Sequence, residues 1–303
     1  MSKSRFITNG NIDNPKSRLI LAMTEGIDSL ESYEIKPNGV FGSEAKIVCG
    51  AVTLKSSDLD FEFTVKFDDD MEANDAEIVV YNLSQDTIKQ LKNKAKISIE
   101  AGYKGDTGLV FSGYITKTKT KREGADKVTT IQCIDDIATH TISEITFAAG
   151  SKASYILKTL LGKTGTPIEV FKVRRDYTYK DEQKVDGDLM ESIKRYSQVC
   201  GVSTFIKGGK IYCRHIKEGD NLYFELSENT GLIGTPEAFE EEITYEDQKE
   251  VINGYECECL LQHRFSAGSI AKLSSLEANG EYRVCSGEHR FNLDECISKI
   301  KMY

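Results

Sequence analysis

The amino-acid sequence predicts a mainly β protein in which a small α/β module separates two β-rich regions. Three observations carry that prediction. Short runs of alternating apolar and polar residues recur before residue 135 and again after residue 222. Gly, Asn and Asp break these runs at hairpin spacing. Between them, two segments near residues 151–161 and 188–200 carry the three-to-four-residue apolar period of a helix.

Residues 45–55 and 59–67 read as the first two strands. In the second, Leu59, Phe61, Phe63, Val65 and Phe67 alternate with Asp60, Glu62, Thr64 and Lys66, so one face is buried and the other wet. A strand over 76–81 runs into Asn82-Leu83-Ser84. Ser84 is a candidate N-cap, and Leu83 and Ile88 have the spacing of a hydrophobic staple. The short helix they open passes Leu91 and stops near Asn93. Strands over 97–103, 109–118 and 128–134 follow as a meander with turns at 105–108 and 123–124. This half fits an antiparallel barrel or sandwich.

The texture then changes. Ser151 is a candidate cap for a helix with Ala153, Ile156, Leu157, Leu160 and Leu161 on one stripe and Gly162 as its stop. A strand over 168–173 leads to a second helix, from Asp186 or Asp188 to Cys200, ended by Gly201. A hairpin joins 202–206 to 211–215. The remainder reads as strands over 222–226, 243–245, 255–261, 269–273 and 280–285, with a short terminal helix over 294–300. No clean sequence repeat is visible.

The chain has 303 residues, 39% hydrophobic and 29% charged, which describes an ordinary globular protein. Its apolar runs are too short to span a bilayer, and its first residues lack the apolar core of a secretory signal, so a cytoplasmic origin is expected. With 48 acidic against 39 basic residues the net charge is −9. Such a surface repels phosphate and disfavours sequence-specific nucleic-acid binding, but suits a surface past which a nucleic acid slides.

Few residues suggest chemistry. Gly162-Lys163-Thr164 lacks the earlier glycine and the strand–loop–helix order of a phosphate-binding loop. Asp68-Asp69-Asp70 and Glu240-Glu241-Glu242 offer hard oxygen ligands but no calcium-loop spacing, and read as solvated segments. Asn82-Leu83-Ser84 matches a glycosylation sequon, but Ser84 is better employed as a cap. His140, His215, His263 and His289 are scattered, and no hydrolase motif is present. The one constellation is C-terminal: Cys257 and Cys259 share a strand face, and Cys285 and Cys296 follow. These four could ligate zinc or an iron–sulfur cluster, or serve as buried small hydrophobes, since no Cys-x-x-Cys pair exists.

Several stretches, in order, resemble the gp27-like, or late control D, baseplate hub family of contractile phage tails and related particles. They are Ala76-Glu77-Ile78-Val79-Val80-Tyr81-Asn82-Leu83-Ser84, then Ile97 onward into Phe111-Ser112-Gly113-Tyr114-Ile115, and Val128 onward to Asp135. The helix at 151–161 and the helix–hairpin at 189–215 are similar to the family's middle insert. Leu260-Leu261, Lys272-Leu273, Asn279-Gly280 and His289 are similar to its second barrel. His289 is followed by Arg290-Phe291-Asn292 where the family often has Gly-Asp, and the first 40 residues match nothing in it.

The resemblance implies two tube-type antiparallel β-barrel domains, over 1–145 and 219–303, separated by an α/β insert of two helices plus a hairpin over 146–218. It implies a homotrimer whose six barrels match a hexameric tail tube while its three-fold axis suits a central spike. The expected partners are the tail tube protein, the spike protein, the tape-measure protein and LysM-type or wedge baseplate proteins, with DNA only passing through the lumen. The expected setting is the virion tail baseplate, assembled in the host bacterial cytoplasm, with no membrane insertion, catalytic residue or cofactor. Two alternatives stay open: a tail-tip protein with a metal held by Cys257, Cys259, Cys285 and Cys296, and a tail-associated cell-wall hydrolase.

Overall fold

The computed structural model describes residues 42–135, 141–207, 209–220, 223–245 and 248–303, together with a two-residue antiparallel ladder between Ile20–Leu21 (β1) and Tyr33–Glu34 (β2). His140 lies outside the described residues. The first β region comprises β3 (Ser43–Cys49), β4 (Val52–Lys55), β5 (Phe61–Phe67), β6 (Asp75–Tyr81), helix α1 (Gln85–Gln90), β7 (Lys96–Tyr103), β8 (Asp106–Glu123) and β9 (Asp126–Ile134). The single strand expected over 45–55 is a hairpin. Gly50, at φ +58°, reverses the chain and pairs Cys49 with Val52. Ser84 caps α1 as expected, its Oγ accepting from the Thr87 amide at 3.0 Å, but the helix ends at Leu91 rather than near Asn93.

The insert comprises β10 (Thr141–Phe147), α2 (Ala153–Lys163), β11 (Ile168–Phe171), β12 (Gln183–Asp188), α3 (Leu189–Cys200), β13 (Ser203–Lys207) and β14 (Lys210–Arg214). The stripe Ala153, Ile156, Leu157, Leu160 and Leu161 is buried, as its period predicts. Ser151 does not cap α2. Lys152 occupies the cap position, and the Ser154 amide is satisfied by Asp176 Oδ1 at 3.1 Å instead. Gly162 lies inside the helix, which closes at Thr164 as its hydroxyl donates to the Leu161 carbonyl at 2.8 Å. Helix α3 follows its sequence signals: Asp188 accepts from the Glu191 amide at 2.9 Å, and Gly201 closes it in the left-handed region.

The last region comprises β15 (Tyr223–Ser227), β16 (Leu232–Tyr245), β17 (Gln248–Leu260), β18 (Ile270–Ser274), β19 (Asn279–Phe291) and β20 (Cys296–Met302). The terminal helix expected over 294–300 is strand β20. Ser298, Ile300 and Met302 point inward between the exposed Lys299 and half-buried Lys301. Period two wins here because β20 fills the place between β17 and β19, bonding both.

The two β regions have one topology. Their strands run β5-β6-β9-β8-β7-β3 and β16-β17-β20-β19-β18-β15, the same permutation of six elements. The fifth element, β8 or β19, pairs in both with one neighbour along its first part and another along its second. Each also carries a glycine against the following strand. A Cβ on Gly113 would lie 2.2 Å from the Ile134 carbonyl oxygen, and one on Gly287 would lie 2.4 Å from that of Lys299. The repeats differ at one edge: β3 meets β7 antiparallel, after the β3–β4 hairpin, whereas β15 meets β18 parallel.

Pairing of β19 with β5, from Gly287↔Phe67 to Phe291↔Phe63, fuses the two regions into a thirteen-stranded sheet. Phe291 stacks on Phe63 at 5.4 Å and meets Phe61 at 5.7 Å. Tyr103 donates to the Cys296 carbonyl at 2.7 Å, and Arg264 forks onto Asp106 at 2.7 and 2.8 Å. No described helix is long and apolar enough to cross a membrane.

Phe291→Ala is expected to cost about 3–5 kcal/mol in denaturant unfolding, because it empties the aromatic contact between the repeats. Gly287→Ala removes no contact, yet is expected to cost about 1–3 kcal/mol by driving a methyl into the β20 backbone.

Candidate assembly surfaces

The continuous sheet has a buried and a polar face. On β5, Phe61, Phe63 and Val65 are buried while Glu62 and Thr64 are half-exposed and Lys66 is exposed. Across the junction the polar residues stay in register. Lys66 faces Glu288, Glu288 faces Lys299 and Lys299 faces Glu258. Asp75 extends the row from β6, 3.7 Å from Lys66, and Lys299 lies 3.3 Å from Glu258. This ladder alternates in sign over five strands. Each exposed pair contributes little stability, but the row leaves a polar surface without a block of one charge. A groove of about 720 Å³ follows it, lined by Lys66, Glu237, Glu256, Glu258, Lys299 and Lys301 among others.

Four strands of the sheet lack a second partner over all or part of their length among the described residues, namely β4, β15, β16 and the second half of β8, and the last two flank the polar ladder. The Ile115 amide donates to the Ala95 carbonyl at 3.0 Å and its carbonyl accepts from the Lys94 amide at 2.7 Å; beyond it β8 pairs only with β9, and β16 pairs only with β17. Such edges are ready templates for another strand. Within the chain, β19 already uses its equivalent edge to receive β5.

The Asp68-Asp69-Asp70 segment is not a solvated loop. Asp69 Oδ2 accepts from Arg283 Nη1 at 2.6 Å and from Ser203 Oγ at 3.1 Å, with the Tyr303 hydroxyl at 3.4 Å. Ser203 Oγ also donates to the Asp69 carbonyl at 2.9 Å. The Arg283 side chain is fully buried, with its guanidinium 5.3 Å from the centre of the Phe205 ring. One carboxylate thus joins the first repeat, the insert and the second repeat. Asp68 and Asp70 turn elsewhere, onto the Asp70 and Glu72 amides. Burial, with Asp70 alongside, pushes the Asp68 carboxyl up to about 6.

The four C-terminal cysteines are buried but divided. Cys257 and Cys259 sit in the core of the second repeat, and Cys296 sits in that of the first, against the repeat junction. Cys285 Sγ donates to the Lys301 carbonyl at 3.3 Å. Burial pushes the thiols of Cys257 and Cys296 up to about 12 and that of Cys285 up to about 11, and raises that of Cys259 further. Among the described residues no three His, Cys, Asp or Glu side chains converge as a metal group.

The histidines do not converge either. His215 meets Arg174 at 2.7 Å. His263 packs on Gly108, and His289 is buried between Ser298 Oγ at 2.8 Å and the Phe265 carbonyl at 3.1 Å. Burial pulls the His289 imidazole down to about 4, against the opposing effect of the Phe265 carbonyl.

A duplicated β unit, a shared polar face and open edges define an assembly component rather than a single concave site. The family model for Baseplate hub gp41 matches residues 73–282, so the chain belongs to that family and acts as a phage tail baseplate hub, a structural component of the virion tail. No curated protein matches the chain. Among solved structures it is similar to the 43 kDa tail protein of prophage MuSo2 from Shewanella oneidensis, with TM-score 0.60, 8% identity and 86% and 96% of the two chains covered. A tail protein from Neisseria meningitidis MC58 gives 0.59 at 8% identity over the same shares. The E. coli c3393 protein, a type VI secretion component described as similar to the T4 tail proteins gp27 and gp5, gives 0.56 at 11% identity over 85% and 76%. These likenesses establish the gp27-like, β-rich fold.

Asp69→Ala is expected to cost about 3–5 kcal/mol in denaturant unfolding, because it strands a buried guanidinium. For pH, the unfolded His289 takes a proton near its ordinary value of about 6.5, whereas the folded one resists until about 4. Its contribution is therefore present above about pH 6.5 and falls by on the order of 3 kcal/mol as pH drops to 4. Asp68 acts oppositely, since its raised carboxyl favours the folded state increasingly as pH falls through about 6. Urea midpoints of His289→Asn and the wild type, compared across this window, are expected to show a flatter or rising profile in the variant.

Proposed function

We propose that three copies of this chain close into a ring of six β repeats that joins a hexameric tail tube to a central spike in a contractile tail. One observation carries the reading: the chain already contains the junction that such a ring needs five more of. In β19–β5, the fifth element of one repeat receives the second element of the other. Two of the edges left over, outer β8 and β16, are the fifth and second elements of the opposite repeats. A second copy docked in the same manner repeats the junction, and a heterologous contact of this kind closes into a ring when its rotation permits.

The polar ladder would then face the channel, because the opposite face of the sheet is filled by the repeat cores. Alternating signs let DNA pass without a basic patch to hold it. The tail tube and tape-measure proteins would meet the six-fold side, the spike the three-fold side, and LysM-type or wedge proteins the periphery, with assembly in the host cytoplasm. The role is mechanical, with no catalytic step and no cofactor. The four C-terminal thiols serve packing, an assignment supported by the division of Cys257 and Cys259 from Cys296 between two cores and by the contact of Cys285 Sγ with the Lys301 carbonyl.

Sedimentation of the purified chain is expected to give three copies, and electron cryomicroscopy with tube and spike proteins an inner β ring of six repeats. A monomer in that mixture, or a ring with another number of repeats, would overturn the reading. Elemental analysis is expected to find zinc and iron far below one per chain.

A further inference from the structure

The open edges of β8 and β16 differ in charge. Residues 116–123 of β8 carry Lys117, Lys119, Lys121 and Arg122 against Glu123 alone, whereas β16 carries Glu237, Glu240, Glu241 and Glu242 and no cation. All eight of the named lysine, arginine and β16 glutamate side chains are exposed. Lys121 bridges to Glu123, Glu241 to Lys301 at 2.7 Å and Glu242 to Lys249 at 2.6 Å. Lys117, Lys119, Glu237 and Glu240 have no ion-pair partner among the described residues.

Geometry places several of these charges where a junction would form. Lys117 and Lys119 lie opposite Gln132 and Thr130 of β9, on the polar face, while their neighbours Thr118 and Thr120 lie opposite the buried Ile131 and Thr129. Glu237 stands directly opposite Glu256 of β17, a like-charge pair that destabilises the hairpin as it stands. A cation arriving at this edge would relieve it. The bulge at 234–236, with Pro236 lacking an amide, blunts the start of β16 and leaves the stretch from Glu237 onward as its usable edge. Lysines on an edge strand ordinarily serve only to discourage pairing. Here the other edge of the same chain supplies the acids that would accept them.

We propose that this opposition of charge dictates how copies of the chain join: the basic edge of β8 receives the acidic edge of β16 from a second copy, and never its own kind. Two β16 edges, or two β8 edges, would set like charges side by side, so the two-fold dimer that either edge could otherwise form is excluded. The internal junction carries no such imbalance. Its polar pair is Lys66 with Glu288, and the Phe63–Phe291 stack dominates it. Head-to-tail growth is thereby selected and becomes salt-sensitive, unlike the folding of the protomer. This rests on the reading that copies meet edge to edge.

The test uses the full chain and sedimentation velocity. Raising NaCl from about 0.05 to about 0.5 M is expected to weaken wild-type association by at least ~10-fold. The K117E/K119E variant and the E237K/E241K variant, whose glutamates share the polar face of the two lysines, are each expected to stay monomeric with unchanged circular dichroism. The variant combining all four reversals is expected to associate again, because its edges are complementary with signs exchanged. Association that ignores salt and survives both double reversals would overturn the charge assignment while leaving the ring intact. A four-fold variant that stays monomeric would overturn it too. A wild-type chain that is monomeric at low salt would sink both this inference and the ring.

Discussion

The structure depends on a single edge-to-edge contact between residues far apart in the chain, the pairing of β19 with β5. Without it the molecule would be two six-element β units on either side of an insert. With it, the polar face runs unbroken from β16 to β8, and the open parts of these two strands lie on opposite sides of the junction. The backbone ladder supplies direction and register, and the Phe61–Phe291–Phe63 contact supplies the burial that holds them.

The insert is held to this frame by electrostatics as well as by packing. Asp69 reaches from the first repeat to Arg283 of the second and Ser203 of the insert, and Phe205 spreads its ring beneath Arg283 while Arg214 lies 5.7 Å from its centre. A buried guanidinium is costly unless compensated, so the position of the insert is coupled to the angle between the repeats. Wobble at any of the three would uncover the charge. The exposed charges of the polar face have no such leverage, since water screens each pair.

Much of the protein was legible in its residues, though unevenly. The alternation from Phe61 to Phe67, the Ser84 cap and the Asp188–Gly201 limits of α3 are local chemistry, and the structure bears them out. The failures are instructive. A turn inside 45–55 was missed because Gly50 reads as strand until its left-handed conformation is seen. The segment 294–300 reads as a short terminal helix, and only the place it fills between β17 and β19 makes it a strand. Asp69 looked like one of three solvated acids, because nothing near it in the chain announces Arg283. Cys257, Cys259 and Cys296 lie close in sequence, yet the first two sit in one core and the third in another, a separation that no spacing along the chain announces.

By itself the sequence determined most of the strands and both long helices, the buried face of each, and the β, α/β, β order, because these follow from periods and caps spanning a few residues. It also carried the scattered motifs that resemble baseplate hubs. Only the tertiary structure decided that the two β regions are one topology used twice, that they share a sheet, and which edges stay open. Equivalent strands such as β8 and β19 need share a path and a glycine, not a sequence, since hydrogen-bond order belongs to the backbone and is indifferent to most side chains.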